Sequence, residues 1–281
     1  MKPLCAALAA GIVAACLGTG ATAAKLRSPH LPAAKPASKR LLVVTHTAGF
    51  RHDSIPVAEE VLAQLGRDSG AFTVDYCRNA EDVKKMLTPE GLKGFDGVIF
   101  ANTTGPLGIP DLKWFMDWLK SGKAFIGMHS AGDTYHPKDI GGDTSYVDML
   151  QGEFKTHHRQ CEIDCIIEDP KHPATAHLGS SYKVFDEIYL YVKNTRANTK
   201  VLLSLDKHPN DGAPEANTPG DYLIAWCHNF GRGKVFYTAL GHRKEVWKDP
   251  VYQQHILGGI KWATGLAKGD ATIGRPQPKR P

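Results

Sequence analysis

Two kinds of hydrophobic pattern alternate along the first half of the chain. A continuous apolar run with β-branched members, which predicts a strand buried on both faces, occurs at 41–46 (LLVVTH), and further strands are expected at 72–77, 97–101 (GVIFA) and 123–128 (KAFIGM). Between them, apolar residues return every three or four positions, as Ala58, Val61, Leu62 and Leu65, and again as Leu112, Phe115, Met116 and Leu119. Such spacing puts one apolar stripe on a helix. Ser54 is expected to cap the first helix, with Pro56 in its first turn and Glu59 and Glu60 near its positive end. A shorter helix is expected over 81–87. Alternation of this kind predicts an α/β fold, a mostly parallel sheet with helices on both faces.

The second half reads differently. Shorter strands are expected at 160–167, 184–192, 201–205, 221–227 and 234–239, joined by turns rich in Gly, Pro and Asn. The last two flank His228-Asn229-Phe230-Gly231-Arg232-Gly233, which suggests an antiparallel hairpin. Gln253, Ile256, Leu257, Ile260 and Ala263 lie near one face of a final helix over 250–264. The expected sheet is therefore a parallel core, built mainly from the first half and extended by mixed or antiparallel strands.

The ends of the chain have another character. Lys2 precedes an apolar stretch at 4–17, too short for the roughly 20 residues that span a bilayer. Ala21-Thr22-Ala23 follows as a small-x-small cleavage site, with Ala24 as an alternative end. Residues 1–24 thus read as a signal peptide, and the mature protein as periplasmic or extracellular. Val13-Ala14-Ala15-Cys16 also reads as a lipobox; membrane attachment is expected only if Cys16 is lipidated, since no transmembrane helix follows. Residues 25–39, with three prolines among Ala, Ser, Lys and Arg, read as a disordered linker. Residues 40–267 read as one domain and 268–281 as a flexible tail.

The formal charge of +5 is scattered, with no basic stripe interleaved with aromatics, so no nucleic-acid partner is expected. Four cysteines remain after the signal: Cys77, Cys161, Cys165 and Cys227. Cys161 and Cys165 would lie about 13 Å apart on one strand, and a disulfide needs Cα atoms within about 7 Å. A bridge to a neighbouring strand and free buried thiols both stay open. Without a CxxC motif, a cysteine-built zinc site is not expected.

Candidate chemistry gathers after the strands, where open α/β sheets bind ligands. The first strand leads into Thr45-His46-Thr47-Ala48-Gly49-Phe50-Arg51-His52-Asp53, the third into Asn102-Thr103-Thr104-Gly105 and the fourth into His129-Ser130-Ala131-Gly132-Asp133. Gly127-Met128-His129-Ser130-Ala131 has the spacing of a nucleophile elbow, a tight turn that raises one side chain above the sheet. Imidazole there suits a general base or a metal ligand. Ser130 comes one residue late and is expected to cap the next turn. His52, His157 and His242 are the further catalytic candidates, with Asp133 to orient a histidine. His172 is expected in a surface turn. Glu187 and Tyr189 are expected to pack and hydrogen-bond rather than to ligate, with Glu187 a reserve carboxylate.

Seven segments, in order, resemble motifs of the ThuA-like, or trehalose-utilisation, family: GFRHDSIP (49–56), GMHSAGD (127–133), FKTHH (154–158), EDPKHPAT (168–175), DEIY (186–189), GRGKVFYTALGH (231–242) and QQHILGGIKWATG (253–265). The resemblance implies a flavodoxin-like fold similar to class I glutamine amidotransferases. It also implies an association with trehalose and related disaccharides, or with keto-sugars. His129 stands where amidotransferases carry cysteine, so glutamine hydrolysis is not expected. The implied partner is a small carbohydrate, with Arg51, Asn102 and Ser130 as substrate-binding candidates. A divalent metal such as zinc on His52, His129 and His242 would aid isomerisation, elimination or hydrolysis. A non-catalytic sugar-binding module, with Trp226, Trp247 and Tyr135 gripping the saccharide, is the alternative.

Overall fold

The structure is a computed structural model that describes residues 38–209 and 220–273. The expected signal peptide, with Cys16, lies outside the described residues, as do most of the linker and the end of the tail.

The predicted strands of the first half form: β1 (Lys39–Val44), β2 (Phe72–Cys77), β3 (Gly97–Ala101) and β4 (Ala124–Met128). The second half adds β5 (Phe154–His157), β6 (Cys161–Ile167), β7 (Ser181–Asp186), β8 (Tyr189–Tyr191), β9 (Lys200–Leu205), β10 (Tyr222–Phe230) and β11 (Gly233–Thr238). Nine of them make one sheet, ordered β2-β1-β3-β4-β11-β10-β9-β6-β7. The first five in that order run parallel, and the last four join antiparallel. The parallel portion has the 2-1-3-4-5 order of flavodoxin-like sheets, whose direction of winding reverses between β1 and β3. One of its strands, β11, comes from the far end of the chain, so the parallel core is not confined to the first half. β5 and β8 form a separate antiparallel pair.

Helices α1 (Ile55–Ser69), α2 (Ala80–Met86), α3 (Leu112–Lys120), α4 (Ser145–Leu150), α5 (Lys244–Lys248) and α6 (Pro250–Ala263) complete the elements. The continuous apolar run of β1 follows from the two buried faces. Leu41 and Val43 join Ala58 and Leu62 of α1 and Ile256 and Ile260 of α6 in one core. Leu42 and Val44 join Phe115 and Leu119 of α3 and Tyr146 and Leu150 of α4 in the other.

Several local expectations are corrected. Ser54 is the N-cap residue of α1 as expected, but its side chain makes no capping bond; its hydroxyl instead accepts a hydrogen bond from Asn102. Glu59 lies beyond the first turn and instead binds Thr45 and Arg78. The expected strand over 184–192 is two, broken at Glu187-Ile188, because the Asp186 carboxylate turns inward to accept backbone N–H groups of Gly241 and Arg243. His172 is buried against the Trp262 ring rather than placed in a surface turn. The four described cysteines are free thiols. At the start of the expected tail, the Gly269 carbonyl accepts a bond from the Trp262 indole. Among the described residues, no helix is long and apolar enough to cross a membrane.

Candidate functional site

The turn after β4 holds His129 at φ 48°, a left-handed conformation that costs a residue with a Cβ about 1–2 kcal/mol. Only small neighbours fit beside it. A Cβ on Gly127 would come 2.9 Å from the Tyr237 ring, and one on Gly132 would come 2.8 Å from its hydroxyl. Tyr237 in turn donates to the His129 carbonyl at 2.6 Å. Strain of this kind persists where the surroundings over-determine it, commonly at functional sites. The ring is also fixed: Nδ1 lies 2.8 Å from the Ala239 carbonyl, to which it must donate. Nε2 therefore carries the free lone pair.

Three other loops bring partners to that nitrogen. His52 arrives from the loop after β1 and His242 from the turn after β11. Glu187 comes from the link between β7 and β8. His129 Nε2 lies 3.2 Å from His52 Nε2, 3.2 Å from His242 Nδ1 and 3.6 Å from Glu187 Oε1. His242 Nδ1 and Glu187 Oε1 are 3.4 Å apart. All four donor atoms fall within 4.8 Å of one another. A tetrahedral ion with bonds of roughly 2.0–2.1 Å has ligand–ligand edges of about 3.3 Å. Four of the six edges are near that value already.

The protonation states suit such a centre. Burial first, then repulsion from His242, lowers the His52 pKa to about 4. Burial and the His52 charge hold His129 well below the ordinary imidazole range. Both rings are thus neutral near pH 7, with lone pairs to offer. Burial also opposes a charge on His242, but the hydrogen bond and charge of Glu187 outweigh it and raise that pKa.

Buried groups behind the ligands hold them. Asp186, wholly buried, accepts the N–H of Gly241 at 2.7 Å and of Arg243 at 3.2 Å, pinning the backbone on both sides of His242. Burial pushes its pKa up to about 6 despite those bonds. Asn102, itself at φ 55°, donates to Ser54 and to the Gly241 carbonyl. Ser130 Oγ is 3.3 Å from His52 Nδ1. Asn102 and Ser130, the expected substrate-binding residues, are fully buried and their side chains support ligand-bearing loops.

The cluster thus holds three of the four expected histidines. His157 stands at the rim, Nδ1 3.2 Å from Glu187 Oε2, and Glu187 takes the fourth place. Asp133 orients a histidine outside the cluster, His136, at 2.7 Å. Tyr189, expected to pack and to hydrogen-bond, puts its hydroxyl 3.2 Å from His129 Nε2. Trp226, Trp247 and Tyr135 are core residues and present no sugar platform.

A cleft of about 470 Å³ opens on His52 and His242, bordered by Phe50, Arg51, Gln160 and Arg243. Arg51 reaches back to the Thr45 carbonyl, at 3.2 Å, from an exposed position. Phe50 is 66% exposed and meets the His52 ring edge-on at 4.8 Å. Hydrogen-bonding groups thus stand beside one exposed aromatic ring at the mouth of the cleft.

Fold and site together define a flavodoxin-like α/β protein with a histidine–glutamate cluster at the carboxyl edge of its sheet. The chain belongs to the ThuA family, described as trehalose utilisation, whose model matches residues 40–263. It is similar in structure to a ThuA-like protein from Bacteroides uniformis, at 23% identity and TM-score 0.64, over 84% of this chain and 95% of that one. A ThuA-like protein from Parabacteroides merdae gives 17% identity and TM-score 0.63, over 85% and 94%. Part of a β-galactosidase from Bacillus circulans sp. alkalophilus gives 13% identity and TM-score 0.50, over 81% of this chain and 31% of that one. At these identities the likeness concerns the fold alone. No curated protein matches the chain.

Proposed function

We propose that the protein is an exported, divalent-metal-dependent enzyme acting on a small carbohydrate, with a disaccharide or its keto derivative as the substrate class. The observation that carries this reading is the meeting of His52, His129, His242 and Glu187 at tetrahedral ligand spacings. The donor set, neutral imidazoles with one carboxylate, fits zinc or a similar borderline ion. A bound cation there would act as a Lewis acid toward a carbonyl or hydroxyl oxygen of the sugar only with a coordination position open to that oxygen, beside the four donors or in place of one of them. The chain's own residues would bind and orient the substrate and move protons. Phe50 offers an apolar face, while Arg51 and Gln160 offer hydrogen bonds. His157, at the rim against Glu187, would be the group to exchange a proton with the substrate. The family's description supports a sugar-related role, and the N-terminal pattern supports export.

Metal analysis of the purified protein, then incubation of metal-loaded protein with oxidised and unoxidised disaccharides, tests the reading. One ion per chain and turnover of either sugar class are expected. Glu187→Gln should lower metal affinity by tenfold or more. A protein that binds no divalent ion and leaves every sugar unchanged would end the proposal; one that binds sugar without converting it would select the binding-module alternative.

A further inference from the structure

We infer that the Tyr189 hydroxyl contacts the ligand oxygen that enters the histidine–glutamate centre, which makes Tyr189 a catalytic residue of that site. The inference rests on the metal reading above. Tyr189 is 3% exposed, its ring held 4.5 Å from His129 and 4.3 Å from Phe154. Its hydroxyl makes one hydrogen bond among the described residues, at 3.2 Å to His129 Nε2.

That bond and a cation compete for the same electrons. His129 Nδ1 is committed to the Ala239 carbonyl, so Nε2 has a single in-plane lone pair. Three further donor atoms, from His52, His242 and Glu187, point toward the same nitrogen. If a cation takes the lone pair, the Tyr189 O–H loses its acceptor and becomes a buried, unpartnered donor. Buried polar groups rarely stay so. Glu187 Oε1 belongs to the cluster and Oε2 faces His157 at 3.2 Å, so the carboxylate is already engaged on both oxygens. An acceptor from outside the chain, an oxygen entering at the ion, would restore the bond. A phenol hydroxyl both donates and accepts, which suits a hydroxyl or carbonyl oxygen.

The chemistry this supplies is directional. A donor beside the cation can hydrogen-bond an oxygen that gains negative charge during reaction, the arrangement by which preorganised donors lower barriers. It would also distinguish oxygen ligands from ligands that cannot accept a hydrogen bond. The place of Tyr189 follows from the chain path: the break after β7 puts Glu187 and Tyr189 two residues apart, and the pairing of β8 with β5 carries both to the site.

The test uses cobalt(II)-loaded full-length protein and acetohydroxamate, an oxygen-donor probe, followed by visible absorption. Wild type and Tyr189→Phe are each expected to take up one cobalt per chain with similar affinity. Acetohydroxamate should bind Tyr189→Phe about tenfold more weakly. Tyr189→Leu, a second variant without the hydroxyl, should show the same loss. Equal probe affinity in wild type and either cobalt-loaded variant overturns the role given to Tyr189 and leaves the metal reading standing. Loss of cobalt uptake in folded Tyr189→Phe also overturns it, by assigning the phenol to holding the ion. A wild-type protein that takes up no cobalt overturns the metal reading and this inference together.

Discussion

Backbone and side chain make opposing demands at His129. The elbow requires φ near 48°, which glycine adopts freely, while the site requires an imidazole. His129→Ala keeps the strain and discards the function; His129→Gly discards both. In urea unfolding without added metal, the Gly variant should be more stable than the Ala variant by about 1 kcal/mol. An Ala variant of equal or greater stability would mean that the turn is not strained. Asp186 makes a second residue-scale test. Asn at 186 would offer one acceptor and one donor to two N–H groups, so one bond beside His242 is lost. Supporting residues of metal ligands typically change affinity by roughly 10- to 100-fold. Asp186→Asn should weaken zinc binding by that order in chelator competition, and unchanged affinity would remove Asp186 from the support of the site. His52, His129 and His242 were legible in the sequence because each follows a readable parallel strand. Glu187 was legible only as a reserve carboxylate and Tyr189 only as a packing and hydrogen-bonding residue, because the break that aims them at the site is created by tertiary pairing. Asn102 and Ser130 were correctly placed at the edge, but nothing local says that their side chains turn inward.

Elements with two buried faces announced themselves, and elements dependent on distant partners did not. β1, β3 and β4 carry mainly apolar runs, which only a sheet covered on both sides needs, whereas the edge strand β2 (FTVDYC) is buried only at its two ends. β5, by contrast, alternates half-buried and exposed positions over four residues and exists through its pairing with β8. Helices α4 and α5, of six and five residues, are too short for a periodic stripe to stand out. The long final helix was legible, yet its apolar spacing does not reveal how closely it packs. Gly258 in α6 lies so near the 173–174 segment that an added Cβ would sit 2.0 Å from the Pro173 carbonyl oxygen. That neighbour is backbone and cannot rotate away. Gly258→Ala should therefore destabilise the protein by about 1–3 kcal/mol, measured by thermal or urea unfolding. A neutral effect would show that α6 can slide without loss.

For the molecule as a whole, buried histidines set the response to acid. Burial lowers His172 and His255 to about 4 each. Between pH 6.5 and 4 the unfolded chain therefore binds protons at these positions that the folded chain refuses, so stability falls as pH falls through that window. Each gap from the usual 6.5 corresponds to on the order of 3 kcal/mol. Asp186, raised to about 6 from 3.8, acts in the other direction, its folded form gaining protons first. His136 and His242, whose carboxylate partners raise them, act with Asp186, whereas His52, also lowered to about 4, and His129, held well below the usual range, add to His172 and His255 and tip the balance. The metal-free protein should have a lower Tm at pH 4.5 than at pH 7, and a Tm that rises on acidification would contradict this balance. The donors at positions 52, 129, 187 and 242 are far apart along the chain, and no two of them lie on one helix turn or one hairpin. A nascent or unfolded segment therefore offers no partial chelate, and on the metal reading the centre exists only once the sheet has closed. Affinity for divalent ions follows an intrinsic order that favours copper over zinc whatever the protein prefers. The ion taken up would thus be decided by the pool surrounding the chain when folding finishes, making cell location a determinant of metal identity.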